Sequence, residues 1–243
     1  MSTGSRIKLR HIVPSMVTVF AICSGMTAVR MSLEGRTELA LYFVLLAVFL
    51  DAADGKLARF LDSASPFGAE LDTLADFFNF GIVPGMLLYN TLYVGTDFAS
   101  LGWLSTLVLA VCCALRLARF NLSLRATDVA LQKDDYFVGV PAPALACLAL
   151  MPIFLHLWGM ENTDWPVLRA IYIIGVGLLA VSTIPTLSIK HASIRRAHLP
   201  FAIVGAVVLV VCLMAYTWPT MIAVNCLYLA SLPLSYRAYR RSL

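Results

Sequence analysis

Apolar residues fill this chain in long runs, and polar residues gather in the short stretches between them. The runs cover 12–29, 39–60, 68–92, 101–123, 141–158, 167–189, 199–216 and 219–236. Each is close to the roughly 20 residues a helix needs to cross a bilayer core. The pattern predicts an all-α polytopic membrane protein, a bundle of about eight transmembrane helices. Only the short turn Thr217-Trp218-Pro219-Thr220 divides the last two runs. Six spans plus one re-entrant pair is the alternative arrangement.

Composition agrees with this reading. The 243 residues are 60% hydrophobic and 13% charged, against about 25% charged in soluble domains. Mean hydropathy is +0.83. No soluble domain, fixed-period repeat or low-complexity tract stands out, so residues 1–243 are read as one domain. Cys23, Cys112, Cys113, Cys147, Cys212 and Cys226 all fall in apolar runs without zinc-site spacing, so they read as small apolar residues. The basic N-terminus MSTGSRIKLRH precedes an apolar run without a clear cleavage site, which predicts a retained first helix.

Charge sets the predicted orientation. With the N-terminus in the cytoplasm, all but Arg30, Arg36 and Arg169 of the eighteen basic residues fall on the cytoplasmic side, as the positive-inside rule requires. Both termini are then cytoplasmic. The net charge of +4 is modest, and no basic domain for nucleic acid is present. The cations fit topology signals and contacts with anionic membrane lipids. Arg125, Lys133, Asp134 and Asp135 read as one solvated loop. Lys190, His191, Arg195, Arg196 and His198 read as a second, lipid-contacting loop.

One stretch breaks the apolar pattern. LDAADGKLARFLDSASPFGAELDTLAD, Leu50 to Asp76, places acids inside and beside two predicted spans. At about 100° per residue, Asp51, Asp54, Gly55 and Ala58 share one arc of the second span. Gly68, Asp72 and Asp76 form a stripe on the third, with Ala75 and Asn79 on or next to it. Glu70 lies about 160° from Asp72, outside that stripe. Two antiparallel helices joined by a short turn would present these edges to each other. Four facing carboxylates repel strongly, and intramembrane acids usually mark function. Protonation relieves the repulsion, and so do divalent cations, which take hard oxygen ligands. Gly55, Ala58 and Gly68 remove bulk beside the acids, for ligand approach or for helix packing. Arg59 is placed to meet a phosphate or to snorkel to the headgroups. Carboxylates can also carry ions across membranes, so a cation transporter is the rival class. The cytoplasmic position of these acids favours headgroup chemistry.

The full pattern is D-x2-D-G-x2-A-R-x8-G-x3-D-x3-D, over Asp51, Asp54, Gly55, Ala58, Arg59, Gly68, Asp72 and Asp76. It resembles the signature of the CDP-alcohol phosphatidyltransferase family, membrane enzymes of phospholipid synthesis. The resemblance implies a six-helix family core, here with two further helices, and a homodimer. It implies that Asp51, Asp54, Asp72 and Asp76 bind two divalent cations, Mg²⁺ or Mn²⁺, and that Asp76 is also the catalytic base. It implies that Asp51, Gly55, Ala58, Arg59, Gly68 and Asp72 bind CDP-diacylglycerol.

Three further segments are similar to the bacterial type II phosphatidylserine synthase branch of that family: FGAELDTLADFFNFGIVPG, LRLARFN and FVGVPAPA. Thr73 and Asn79 stand where serine is usual in that branch. The resemblance implies L-serine as acceptor, and the bacterial inner (cytoplasmic) membrane, with the active site facing the cytoplasm. Inositol, glycerol phosphate or choline are the alternative acceptors. Arg116 and Arg119 share a face of span 4 and Asn121 follows, so one of these arginines is a candidate for the serine carboxylate or the lipid phosphate. Pro141 and Pro143 are expected to shape the start of span 5.

Overall fold

The computed structural model describes residues 12–61, 65–125, 136–160, 165–182, 185–187 and 199–242. Helix α1 runs Ile12–Leu33, α2 Thr37–Phe60, α3 Pro66–Phe77 and α4 Val83–Leu92. A π-helical turn, Phe78–Ile82, joins α3 to α4 into one rod. Helix α5 is Ala99–Arg125, α6 Ala142–Ala149, α7 Met151–Leu157 and α8 Pro166–Val181. Helices α9, Leu199–Ala215, and α10, Thr217–Ser242, follow. Two three-residue strands, β1 (Tyr136–Val138) and β2 (Pro185–Leu187), pair antiparallel with Phe137 opposite Thr186.

Every predicted span has a helical counterpart. Among the described residues, Val13–Leu33, Pro66–Leu92 and Ala99–Leu122 are long and apolar enough to cross a membrane. The shorter apolar helix Pro166–Val181 joins them. Helix α2 is long enough, but Asp51, Asp54, Lys56 and Arg59 crowd its second half. The basic N-terminal residues and the loop residues Lys133, Asp134, Asp135, Lys190, His191, Arg195, Arg196 and His198 lie outside the described residues.

The predicted fifth span is broken. Pro152 has no backbone N–H to return to the Leu148 carbonyl four residues earlier. The Tyr172 hydroxyl of α8 donates to that carbonyl instead, at 2.9 Å. The buried Asn225 of α10 donates through Nδ2 to the Cys147 carbonyl at 2.8 Å. Side chains thus satisfy carbonyls at the break, as backbone at membrane depth demands. The core lies where α4, α5, α6 and α8 meet, around fully buried Phe80, Leu87, Leu109, Leu145 and Ile173.

Helix α1 packs along α2 and touches α3, whereas the backbones of α2 and α3 stay largely apart. Two tight spots fix the frame. A Cβ on Gly25 of α1 would fall 2.1 Å from Asn79 Oδ1. A Cβ on Gly102 of α5 would fall 2.2 Å from the Tyr93 ring. Asn79, next to the predicted acidic stripe in sequence, is therefore buried against α1.

Candidate active site

The N-terminus of α3 is built locally. Ser65 has extended backbone angles, and its hydroxyl accepts from Gly68 N at 3.0 Å. Pro66 follows at the first helical position, where its missing N–H costs nothing. This cap starts α3 two residues before the predicted span. The helical period then puts Asp72 and Asp76, four residues apart, on one side.

Across the gap stands α2. Ligand oxygens of Asp51, Asp72 and Asp76 all lie within 4.8 Å of one another. The Asp51 and Asp76 carboxyl groups are in hydrogen-bonding contact. The two acidic edges read from helical period therefore do meet. Asp54 stands beside this triad, near enough to Asp51 and Asp72 to feel their charge. It is 4% exposed, and Thr18 of α1 donates a 2.6 Å hydrogen bond to its Oδ2. The same hydroxyl lies 3.1 Å from the Pro14 carbonyl, but its single proton serves the shorter bond to the charged oxygen.

Two unit charges 4 Å apart repel by about 4 kcal/mol at an effective dielectric constant of 20. Three carboxylates this close need a shared proton or a cation. Oxygens around one octahedral Mg²⁺ stand about 3–4 Å apart, given bonds of 2.0–2.1 Å. The triad is near that spacing, and its donors are all hard oxygens. The residues fit a small divalent cation.

The small residues divide into two kinds. A Cβ on Gly55 would meet nothing within 4 Å, so this glycine leaves open space beside the acids. A Cβ on Gly68 would sit 3.1 Å from Ser65 Oγ, so the cap alone already favours glycine there. Ala58 lies in α2, with its side chain outside the described ones. Arg59 is exposed and donates through Nε to the Gly55 carbonyl at 3.0 Å.

The α5 residues separate by role. Arg116 donates through Nε to the Val140 carbonyl and acts electrostatically on Asp76, so it is the arginine beside the acids. Arg119 is spent on the end of α8, donating to the carbonyls of Val181 at 2.7 Å and Ser182 at 3.1 Å. Gly139 packs against this end: a Cβ there would lie 3.2 Å from the Arg119 guanidinium. Asn121 donates to Thr73 Oγ1 at 3.1 Å, tying α5 to α3 one residue from Asp72. Thr18 is the participant that sequence reasoning missed, because a hydroxyl in an apolar helix carries no pattern of its own. The Ser65-Pro66 pair did carry a signal, that of a helix cap.

Residues 11–184 match the model of a family described as CDP-alcohol phosphatidyltransferase. A Mycobacterium tuberculosis protein named CDP-diacylglycerol–serine O-phosphatidyltransferase is 34% identical over 247 residues, covering 95% of this chain and 80% of that protein. A Mycobacterium leprae protein of the same name is 36% identical over 187 residues, covering 76% of this chain and 61% of that protein. A Bacillus subtilis protein, also so named, is 32% identical over 175 residues, covering 72% of this chain and 89% of that protein.

Proposed function

The chain belongs to the CDP-alcohol phosphatidyltransferase family, and from that premise we propose that it transfers the phosphatidyl group of CDP-diacylglycerol to the hydroxyl of L-serine. The products are phosphatidylserine and CMP. The observation that carries the reading is the meeting of Asp51, Asp72 and Asp76 between α2 and α3, within the family signature. The relatives' shared name supports serine as the acceptor.

Asp51, Asp54, Asp72 and Asp76 would hold two divalent cations, Mg²⁺ or Mn²⁺. Such ions, when bound, supply charge neutralisation for the donor pyrophosphate and for departing CMP. The remaining steps belong to the chain's own groups. The open edge at Gly55, with Ala58 and Gly68, admits the cytidine diphosphate head, and Arg59 reaches its phosphates. The acyl tails stay in lipid. Asp76 takes the proton from the serine hydroxyl. The serine oxygen bonds to phosphorus in line as the bond to CMP breaks. Arg116 stands beside Asp76 and is the better placed of the two arginines for the serine carboxylate, with Arg119 committed to α8 and Asn121 to Thr73.

The charge distribution supports an inner-membrane protein whose active site faces the cytoplasm. A homodimer is the assembly the family implies. The test is product identification: purified protein, CDP-diacylglycerol and a panel of serine, inositol, glycerol phosphate and choline. Serine-dependent release of CMP with phosphatidylserine as the lipid product supports the proposal. A different lipid product replaces the acceptor, and absence of CMP release with every alcohol sinks the enzymatic reading. Asp76→Asn is expected to abolish turnover while donor binding persists.

A further inference from the structure

A second candidate site lies at the other end of the bundle. The rod from Asp72 to Leu92 rises about 1.5 Å per residue, which puts its far end about 30 Å from the acids. There the α4–α5 turn meets the start of α8: the Tyr93 hydroxyl donates to the Pro166 carbonyl at 3.1 Å. A cavity of about 890 Å³ opens at this junction, lined in part by Thr91, Asp97, Phe98, Trp165 and Arg169. Two of its lining residues each carry a buried side-chain atom without a hydrogen-bond partner, Thr91 Oγ1 and Arg169 Nε. Buried polar groups are nearly always paired, so two orphans among the residues of one cavity are a signal that something polar completes it.

The charges narrow what that is. The Arg169 guanidinium lies 5.5 Å from the centre of the Tyr93 ring. Asp97 and Arg169 line the same cavity with opposite charges. A ligand carrying both a phosphate and an ammonium group would answer both. The apolar surroundings extend the match. A groove of about 330 Å³ lined by Met151, Pro152, Leu155 and Tyr172 shares Trp165, Leu168 and Arg169 with the cavity. Trp165, Leu168 and Ile171 beside it are 61%, 55% and 60% exposed, as lipid-facing residues are. A cavity whose mostly apolar walls carry one acid and one arginine, running into an apolar groove, has the layout of a headgroup and an acyl chain.

We propose that this cavity binds a zwitterionic, amine-bearing glycerophospholipid, its phosphate on Arg169 and Thr91, its ammonium on Asp97 and one acyl chain along the groove beside Trp165 and Leu168. The site is separate from the acidic one and independent of the acceptor used there. It would anchor the α4–α5 turn and the start of α8 to the opposite leaflet.

Native mass spectrometry of the full-length protein tests this, in micelles supplemented with phosphatidylethanolamine, phosphatidylglycerol, phosphatidylcholine or inorganic phosphate. The expected result is a retained phosphatidylethanolamine adduct, weakened about 10-fold by Arg169→Gln, since hydrogen bonds to charged groups are the strong ones. Thr91→Val weakens it less. Asp97→Asn, an exposed change that leaves folding intact, is expected to abolish the preference for phosphatidylethanolamine over phosphatidylglycerol. Equal retention of phosphatidylglycerol and phosphatidylethanolamine by the unmodified protein overturns the proposal. So does retention of inorganic phosphate alone, or an adduct indifferent to both Arg169→Gln and Asp97→Asn.

Discussion

Thr18 on the first helix donates its hydroxyl proton to Asp54 on the second at 2.6 Å. This bond makes α1 part of the acidic site, although α1 contributes no acid. It holds the one signature aspartate that stands outside the tight triad of Asp51, Asp72 and Asp76. A carboxylate fixed this way is aimed before any cation arrives.

Thr18→Val keeps the shape and removes the proton. A hydrogen bond to a charged group is worth roughly 1.5–3 kcal/mol, so the divalent-metal concentration for half-maximal CMP release should rise about tenfold or more. Metal titrations of both proteins measure this. An unchanged midpoint would mean that the Thr18 bond does not help Asp54 hold metal.

Arg116 and Arg119 are three residues apart on one helix but face different tasks. Arg119 caps α8 through the Val181 and Ser182 carbonyls. Arg119→Gln should lower stability by about 2 kcal/mol, with the KM for serine unchanged in the folded fraction. Arg116→Lys keeps the charge but loses the planar fork. It should raise the KM for serine about tenfold, and it also gives up the Nε bond to the buried Val140 carbonyl, so the serine KM, not the melting temperature, tells it from Arg119→Gln. Thermal unfolding checks the loss at Arg119, serine titrations on both variants separate the roles, and the opposite assignment of KM effects would reverse them.

Tyr172 answers the carbonyl freed by Pro152. Tyr172→Phe leaves the Leu148 oxygen buried and unpaired, at a cost of roughly 1–3 kcal/mol. Unfolding in detergent should show this loss, while turnover per folded molecule stays near normal. No change in stability would show that another donor reaches Leu148.

The acidic edges were legible in the sequence because they follow the helical period: spacings of three and four put Asp51 with Asp54, and Asp72 with Asp76, on single faces. The helices were legible from the apolar runs, and three of them, Val13–Leu33, Pro66–Leu92 and Ala99–Leu122, have the length and apolarity of membrane spans. What could not be read depends on which helices become neighbours. Nothing in the apolar run around Thr18 singles out its hydroxyl until α1 lies against α2. Arg119 looks like Arg116 in sequence, and only the position of the α8 terminus separates them. The π-turn at Phe78–Ile82 lies inside an apolar run whose composition hardly changes, whereas Pro152 carried its signal, a missing N–H, within a run read only for its apolar length. Asn79 looked like a neighbour of the acidic stripe, yet the extra residue in the π-turn and the space above Gly25 take it toward α1.

The central claim is that Asp51, Asp54, Asp72 and Asp76 work by gathering divalent ions for phosphatidyl transfer. Its most direct test is phosphatidylserine formation by protein stripped with EDTA, then resupplied with Mg²⁺ or Mn²⁺. The account predicts no product in the stripped enzyme and full recovery on resupply. Sustained turnover by thoroughly stripped enzyme would contradict it.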